Sequence, residues 1–176
     1  MVQVQNNEIQ KSEASALNEN LAGKYITFKL ANEVYAFEIL KVREIIGMMG
    51  ITQVPQSDPA IKGVINLRGK VNPVVDLRKI FGMSDTVPTE TTVIVIVQTV
   101  VGEQESTMGV LVDEVLEVLN IENADIEPPP NMGDFETSNQ TFMLGVAKLN
   151  SRVVFLLDIN SVLNSNQKSL FENFAN

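Results

Sequence analysis

The chain has 176 residues, an apolar content of 44% and a formal charge of −9, which is enough for a buried core but repels phosphate backbones and anionic membrane surfaces. Cysteine and histidine are both absent, which removes disulfides, thiol nucleophiles, the usual zinc sites and the Ser-His-Asp and Cys-His catalytic arrangements together. Neither a basic leader nor an apolar block opens the chain, and no window approaches the roughly 18 apolar residues of a membrane span, so a soluble cytoplasmic protein is expected.

Residues 1–22 are rich in Gln, Asn, Glu and Ser and follow neither hydrophobic period, so they read as a loose tail. Order begins near Lys24. There Ile26, Phe28 and Leu30 alternate with Tyr25, Thr27 and Lys29, the period of a half-buried strand, and Ala31-Asn32-Glu33 turns the chain into a second strand through Tyr35, Phe37 and Ile39. Short Val-, Ile- and Leu-rich runs at 64–67, 71–75, 92–97, 109–112 and 153–157, with turn residues between them, predict a mainly β fold. Asp76 precedes Leu77-Arg78-Lys79-Ile80-Phe81 and Asp158 precedes Ile159-Asn160-Ser161-Val162-Leu163, each as the cap of a short helix. Residues 167–174 place Leu170, Phe171 and Phe174 on one face of a further helix.

The chain also repeats itself. Gly63-Val64-Ile65-Asn66-Leu67 through Val74-Val75-Asp76-Leu77 returns as Gly145-Val146-Ala147-Lys148-Leu149 through Leu156-Leu157-Asp158-Ile159, an offset of 145 − 63 = 82. Ala36-Phe37-Glu38-Ile39 and Val42-Arg43-Glu44-Ile45 return as Gly109-Val110-Leu111-Val112 and Val115-Leu116-Glu117-Val118, an offset of 109 − 36 = 73. The difference of nine residues is an insertion in the second copy, where Glu127-Pro128-Pro129-Pro130 and the polar stretch 131–141 make a loop. Two copies of about seventy residues are too few for a solenoid and too small for immunoglobulin sandwiches, so paired five-stranded barrels with short helices fit best. The expected division is a tail at 1–22, one barrel at 23–87, a second at 88–164 and a C-terminal helix or tail at 165–176.

Glu38-Ile39-Leu40-Lys41-Val42-Arg43-Glu44-Ile45, then Ile61-Lys62-Gly63-Val64-Ile65-Asn66-Leu67-Arg68-Gly69 and Pro73-Val74-Val75-Asp76-Leu77-Arg78, closely resemble the CheW family of bacterial chemotaxis adaptors. The likeness extends more weakly from about Lys24 to Leu163. It implies two intertwined SH3-like barrels, with strands exchanged near their borders, in a non-enzymatic protein that links the regulatory domain of the histidine kinase CheA to the cytoplasmic tips of methyl-accepting chemoreceptors. It implies no cofactor and no direct membrane contact. Relatives carry the same domain inside the kinase or fused to a receiver, and the short flanks here are expected to leave no space for either.

Arg68 is the first candidate contact, at a hairpin turn where Gly69 relaxes the backbone and a long cation projects. Its counterpart is Asn150, so a site on one barrel only is expected; the plainer alternative is a cation that caps the hairpin or pairs with a nearby carboxylate. The resemblance implies that Arg68, Leu67, Val42 and Glu44 bind the receptor, although Val115 and Glu117 repeat Val42 and Glu44 and allow a strand requirement instead. Met48 and Met49 are candidates for kinase binding as a pliant exposed edge, with packing inside the more usual fate of such residues. Around Ile126 to Met132, where the family often places a basic residue and an aromatic, this chain has Glu127 and Met132.

Two other readings compete with an adaptor. Asp76 and Asp158 at equivalent positions of a duplicated β fold suggest an aspartic hydrolase, but Leu77-Arg78 and Ile159-Asn160 follow them where Thr/Ser-Gly is needed. A nucleic-acid-binding barrel would need aromatic platforms and a basic groove, and the chain has 6% aromatics, no tryptophan and the wrong charge. The near match to a phosphate loop in Gly63-Val64-Ile65-Asn66-Leu67-Arg68-Gly69-Lys70 has one residue too many between its glycines.

Overall fold

A computed structural model describes residues 21–130 and 142–164. Within them eleven strands form two sheets: β1 (Gly23–Leu30), β2 (Glu33–Glu38), β3 (Val42–Gly47), β4 (Ile61–Leu67), β5 (Lys70–Asp76), β6 (Val93–Val101), β7 (Gln104–Val112), β8 (Glu114–Ile121), β9 (Ile126–Glu127), β10 (Met143–Leu149) and β11 (Arg152–Leu157). One sheet runs β8-β1-β2-β11-β10-β9 and the other β3-β6-β7-β5-β4. The predicted five-stranded count holds for the second, while the first gains the two-residue β9. Ile39 leaves the strand expected of it and forms, with Leu40 and Lys41, a 3-10 turn between β2 and β3.

The sheets do not follow the division at 87/88. The first takes its leading hairpin, β1-β2, from copy one and its remaining strands from copy two; the second takes β6-β7 from copy two and the rest from copy one. The exchange is reciprocal to the residue. In the parallel pairing of β5 with β7, Val74 faces Gly109 and Val75 faces Val110. Adding 82 to the first members and subtracting 73 from the second gives Leu156 with Ala36 and Leu157 with Phe37, the pairs that join β11 to β2. Even the irregularities correspond: the register shift at Ile61/Gly63 recurs at Met143/Gly145. Gly63 is required at its place, because its φ is +147° and a Cβ there would fall on the carbonyl oxygen of Thr52, the residue that bridges to Val64.

This exchange accounts for burial. Ile26, Phe28, Leu30, Tyr35 and Phe37 meet Val95, Val97, Met108, Val110 and Val112 in a core between the sheets, to which Leu77, Ile80, Ile159, Val162 and Leu163 of the two short helices are added. Tyr25, Ala36, Val154 and Leu156 fill the inside of one barrel, and Ile65, Val74, Ile94 and Ile96 the inside of the other. The hairpin strands are therefore covered on both faces. That is why β1 is not the half-buried strand its alternation suggests: Tyr25, Ile26, Thr27 and Phe28 are all buried, and the Thr27 hydroxyl bonds the backbone of Glu117 in both directions. Both helix caps form as expected, with Asp76 accepting from the Arg78 N–H at 3.0 Å and Asp158 from the Asn160 N–H at 3.1 Å. The tail at 1–20, the loop at 131–141 and the helix proposed at 167–174 lie outside the described residues.

A carboxylate sits where the sheets cross. Asp113, between β7 and β8, accepts two bonds from the Arg78 guanidinium at 2.8 and 2.6 Å and one from the Ala31 N–H at the β1-β2 turn at 2.7 Å. The ion pair is mostly buried, with side-chain exposures of 16% and 25%. The Arg78 hydrogen bonds hold the Asp113 carboxyl below the usual carboxylate range, against the opposing effect of its burial. Its folded pKa being the lower one, its contribution is complete above the unfolded value and disappears as pH falls through the folded value. Asp113→Ala, which leaves Arg78 without its partner, is expected to cost about 2–3 kcal/mol at pH 7 in denaturant unfolding. Repeated between pH 7 and pH 3, the wild type is expected to lose more stability than Asp113→Asn.

Candidate functional site

The β4-β5 hairpin turns on two residues, since Leu67 still faces Lys70. Arg68 has φ +52° and Gly69 φ +82°, the doubly positive pattern of a tight turn that follows the strand twist. The Asn66 side chain steadies it by accepting from the Gly69 N–H at 2.9 Å. The equivalent turn of β10-β11 uses Asn150 at φ +45° and Ser151 at φ +69°. Asparagine tolerates this conformation and arginine resists it, so turn geometry is no reason for an arginine at 68.

The Arg68 side chain reaches Glu44 on β3 in a two-pronged contact, Nη1 to Oε1 at 2.7 Å and Nη2 to Oε2 at 2.8 Å. β3 and β4 are the two outer strands of their sheet, so the pair spans the open seam of the barrel. The hydrogen bonds lower the Glu44 pKa and raise that of Arg68. The Arg68 side chain is 74% exposed even so. Two candidates that the sequence offered separately are thus one unit, and the plain alternative of pairing with a carboxylate is realised by the other candidate. Copy two binds its equivalent glutamate differently: Glu117 is met by Arg152, the counterpart of Lys70, at 3.0 Å.

Glu44, Leu67 and Arg68 line an open concavity of about 480 Å³ at the mouth of this barrel. Val42 does not join them; it is half-buried against the core between the sheets. Leu67 is half-buried against the barrel interior. Met48 and Met49 follow β3 and are each 38% exposed, which overturns packing inside and leaves them, with Ile45 and the 80% exposed Leu40, as apolar surface around that strand. Sequence reasoning missed Leu40 and the cations Arg43 and Lys70 that line the same concavity. The Leu40 signal was available in the sequence, because a leucine stands there where the second copy has Asp113.

The CheW-like domain model matches residues 24–167. The chain is 33% identical over 157 residues to the chemotaxis protein CheW of Klebsiella aerogenes, covering 89% of this chain and 91% of that protein. It is 35% identical over 144 residues to the CheW of Rhizobium meliloti, covering 81% and 88%. The crystal structure of the scaffolding protein TtCheW from Thermoanaerobacter tengcongensis superposes with a TM-score of 0.72 at 33% identity, covering 85% of this chain and 98% of that one, and the architecture is accordingly that of two SH3-like barrels.

Because an arginine at φ +52° is strained and its ion pair lies open to water, Arg68→Gly is expected to leave the melting temperature within about 3 °C of wild type or to raise it. Differential scanning calorimetry checks this, and a larger fall would make Arg68 a structural residue.

Proposed function

The chain belongs to the CheW family of chemotaxis proteins, and from that membership we propose that it is an adaptor holding the histidine kinase CheA and the cytoplasmic tips of chemoreceptors in one complex. Arg68 and Glu44 are the polar anchors for the receptor, with Leu67 as their apolar neighbour and the half-buried Val42 as an apolar contact apart from them. Met48 and Met49 serve the kinase contact. The protein performs no chemistry of its own and works in the cytoplasm. Receptor movement reaches the kinase as a free-energy difference between docked states, typically about 1–3 kcal/mol.

The single observation that carries this reading is an arginine kept in an unfavourable turn conformation on one barrel only, with three quarters of its surface exposed. Strain of that kind persists where a side chain is needed for something other than the fold. An arginine fork with an acidic neighbour at the edge of apolar surface suits a helical partner, the apolar centre supplying affinity and the charges register. No helix among the described residues is long and apolar enough to cross a membrane.

In co-purification with a receptor cytoplasmic fragment and, separately, with the CheA regulatory domain, Arg68→Ala is expected to lose receptor binding at least tenfold and to keep kinase binding, whereas Met48→Ser with Met49→Ser is expected to do the reverse. Loss of both partners in either variant would contradict the assignment.

A further inference from the structure

The two barrel mouths are built on one plan and finished differently. In the first sheet, β11 and β2 pair in parallel over four positions, Val154 with Val34 through Leu157 with Phe37, and the Phe155 and Tyr35 rings meet at 5.4 Å. In the second sheet the matching ladder has three positions and begins only at Val74 with Gly109. The residue before it is Pro73, the counterpart of Phe155, which has no N–H to offer. Ahead of that point β5 and β7 part, and the concavity opens between them.

Its lining keeps the glutamate and the leucine of the closed mouth, Glu44 for Glu117 and Leu67 for Leu149, and departs from it at other matching places. Asn72 stands for Val154, Thr107 for Val34 and Arg43 for Leu116. Asn72 is 6% exposed and bonds the Lys70 carbonyl at 3.1 Å, a buried amide where the same scaffold is content with valine. The cations differ as well. In the closed barrel Arg152 is occupied by Glu117. In the open one Arg68 has taken the glutamate, so Lys70 is left over, and among the described residues neither Lys70 nor Arg43 has a carboxylate within 4.0 Å. Three cations against Glu44 and Glu105 give this mouth an excess of positive charge on a chain of net −9.

We infer that the open mouth receives an acidic side chain of the docked partner, its carboxylate meeting Lys70 and Arg43 while Asn72 and Thr107 bond the partner's polar groups. This rests on the docking reading above and adds the chemistry that the partner must present beside its Arg68 contact. Val154 shows that the fold accepts valine at this place, so Asn72→Val is expected to leave melting unchanged or raised.

The test titrates the ¹⁵N-labelled full chain with acetyl-Glu-Glu-Glu-amide, acetyl-Gln-Gln-Gln-amide and inorganic phosphate, and separately measures receptor-fragment affinity at two salt concentrations. The acidic peptide is expected to shift the amides of Lys70, Asn72 and Thr107 and to spare Val34 and Val154, and the glutamine peptide to do neither. Lys70→Gln and Asn72→Val are each expected to weaken the receptor fragment roughly five- to tenfold, Lys70→Gln also reducing the salt dependence. Unchanged affinity in both, with Arg68→Ala still defective, would overturn the inference and spare the docking reading. Equal shifts from phosphate, or a fall in the melting temperature of Asn72→Val, would also overturn it. A receptor fragment that ignores the wild type while the acidic peptide fills the mouth would instead sink the docking reading alone.

Discussion

The structure depends on a reciprocal parallel pairing: β5 of the first repeat with β7 of the second, and β11 of the second with β2 of the first. Each repeat on its own lacks the hairpin that completes its barrel, and each supplies that hairpin to the other. The lent strands lie between two cores, with Val95 and Val97 facing the space between the sheets and Ile94 and Ile96 facing the barrel interior. A strand covered on both faces must be apolar throughout, which is why Val93–Val101 begins as an unbroken Val-Ile run. The Asp113 carboxylate then fastens the lent β1-β2 turn to the helix that follows β5.

Within this near symmetry the two copies differ by small departures. Both copies keep a glutamate at the same place on an outer strand, Glu44 and Glu117, and both meet it with an arginine from the neighbouring hairpin. In one copy the arginine is a strand residue and the turn is left to asparagine. In the other it occupies the turn itself, strained and exposed, and its strand neighbour Lys70 is freed. A scaffold shared by two copies thus carries, on one barrel only, a surface that the other does not repeat.

Much of this was legible in the sequence, and the reasons for the gaps are physical. Alternation located the first hairpin because side chains in a strand alternate faces, Val-, Ile- and Leu-rich runs marked five more strands, and the aspartate caps announced both helices because their hydrogen bonds are local. The repeat offsets carried the duplication, but not which copy completes which sheet, since that is set by contacts between residues 35 to 120 apart along the chain. Arg68 and Glu44 could be nominated one by one; their pairing across the barrel seam joins residues 24 apart along the chain and leaves no local pattern. The exposure of Met48 and Met49 was misjudged because methionine suits a core as well as a surface. The cationic mouth was overlooked because Arg43, Arg68 and Lys70 form no run and gather only when β3 and the β4-β5 turn close on one another.

If exchanged hairpins make the two barrels one cooperative body, native-state hydrogen exchange at increasing denaturant is the most direct measurement. Amides of β2 and β11 are expected to converge with those of β5 and β7 on a single opening free energy, with a common denaturant dependence. Two separate isotherms, one for amides of residues 23–87 and another for those of 88–164, would show that the repeats open independently and would contradict the account.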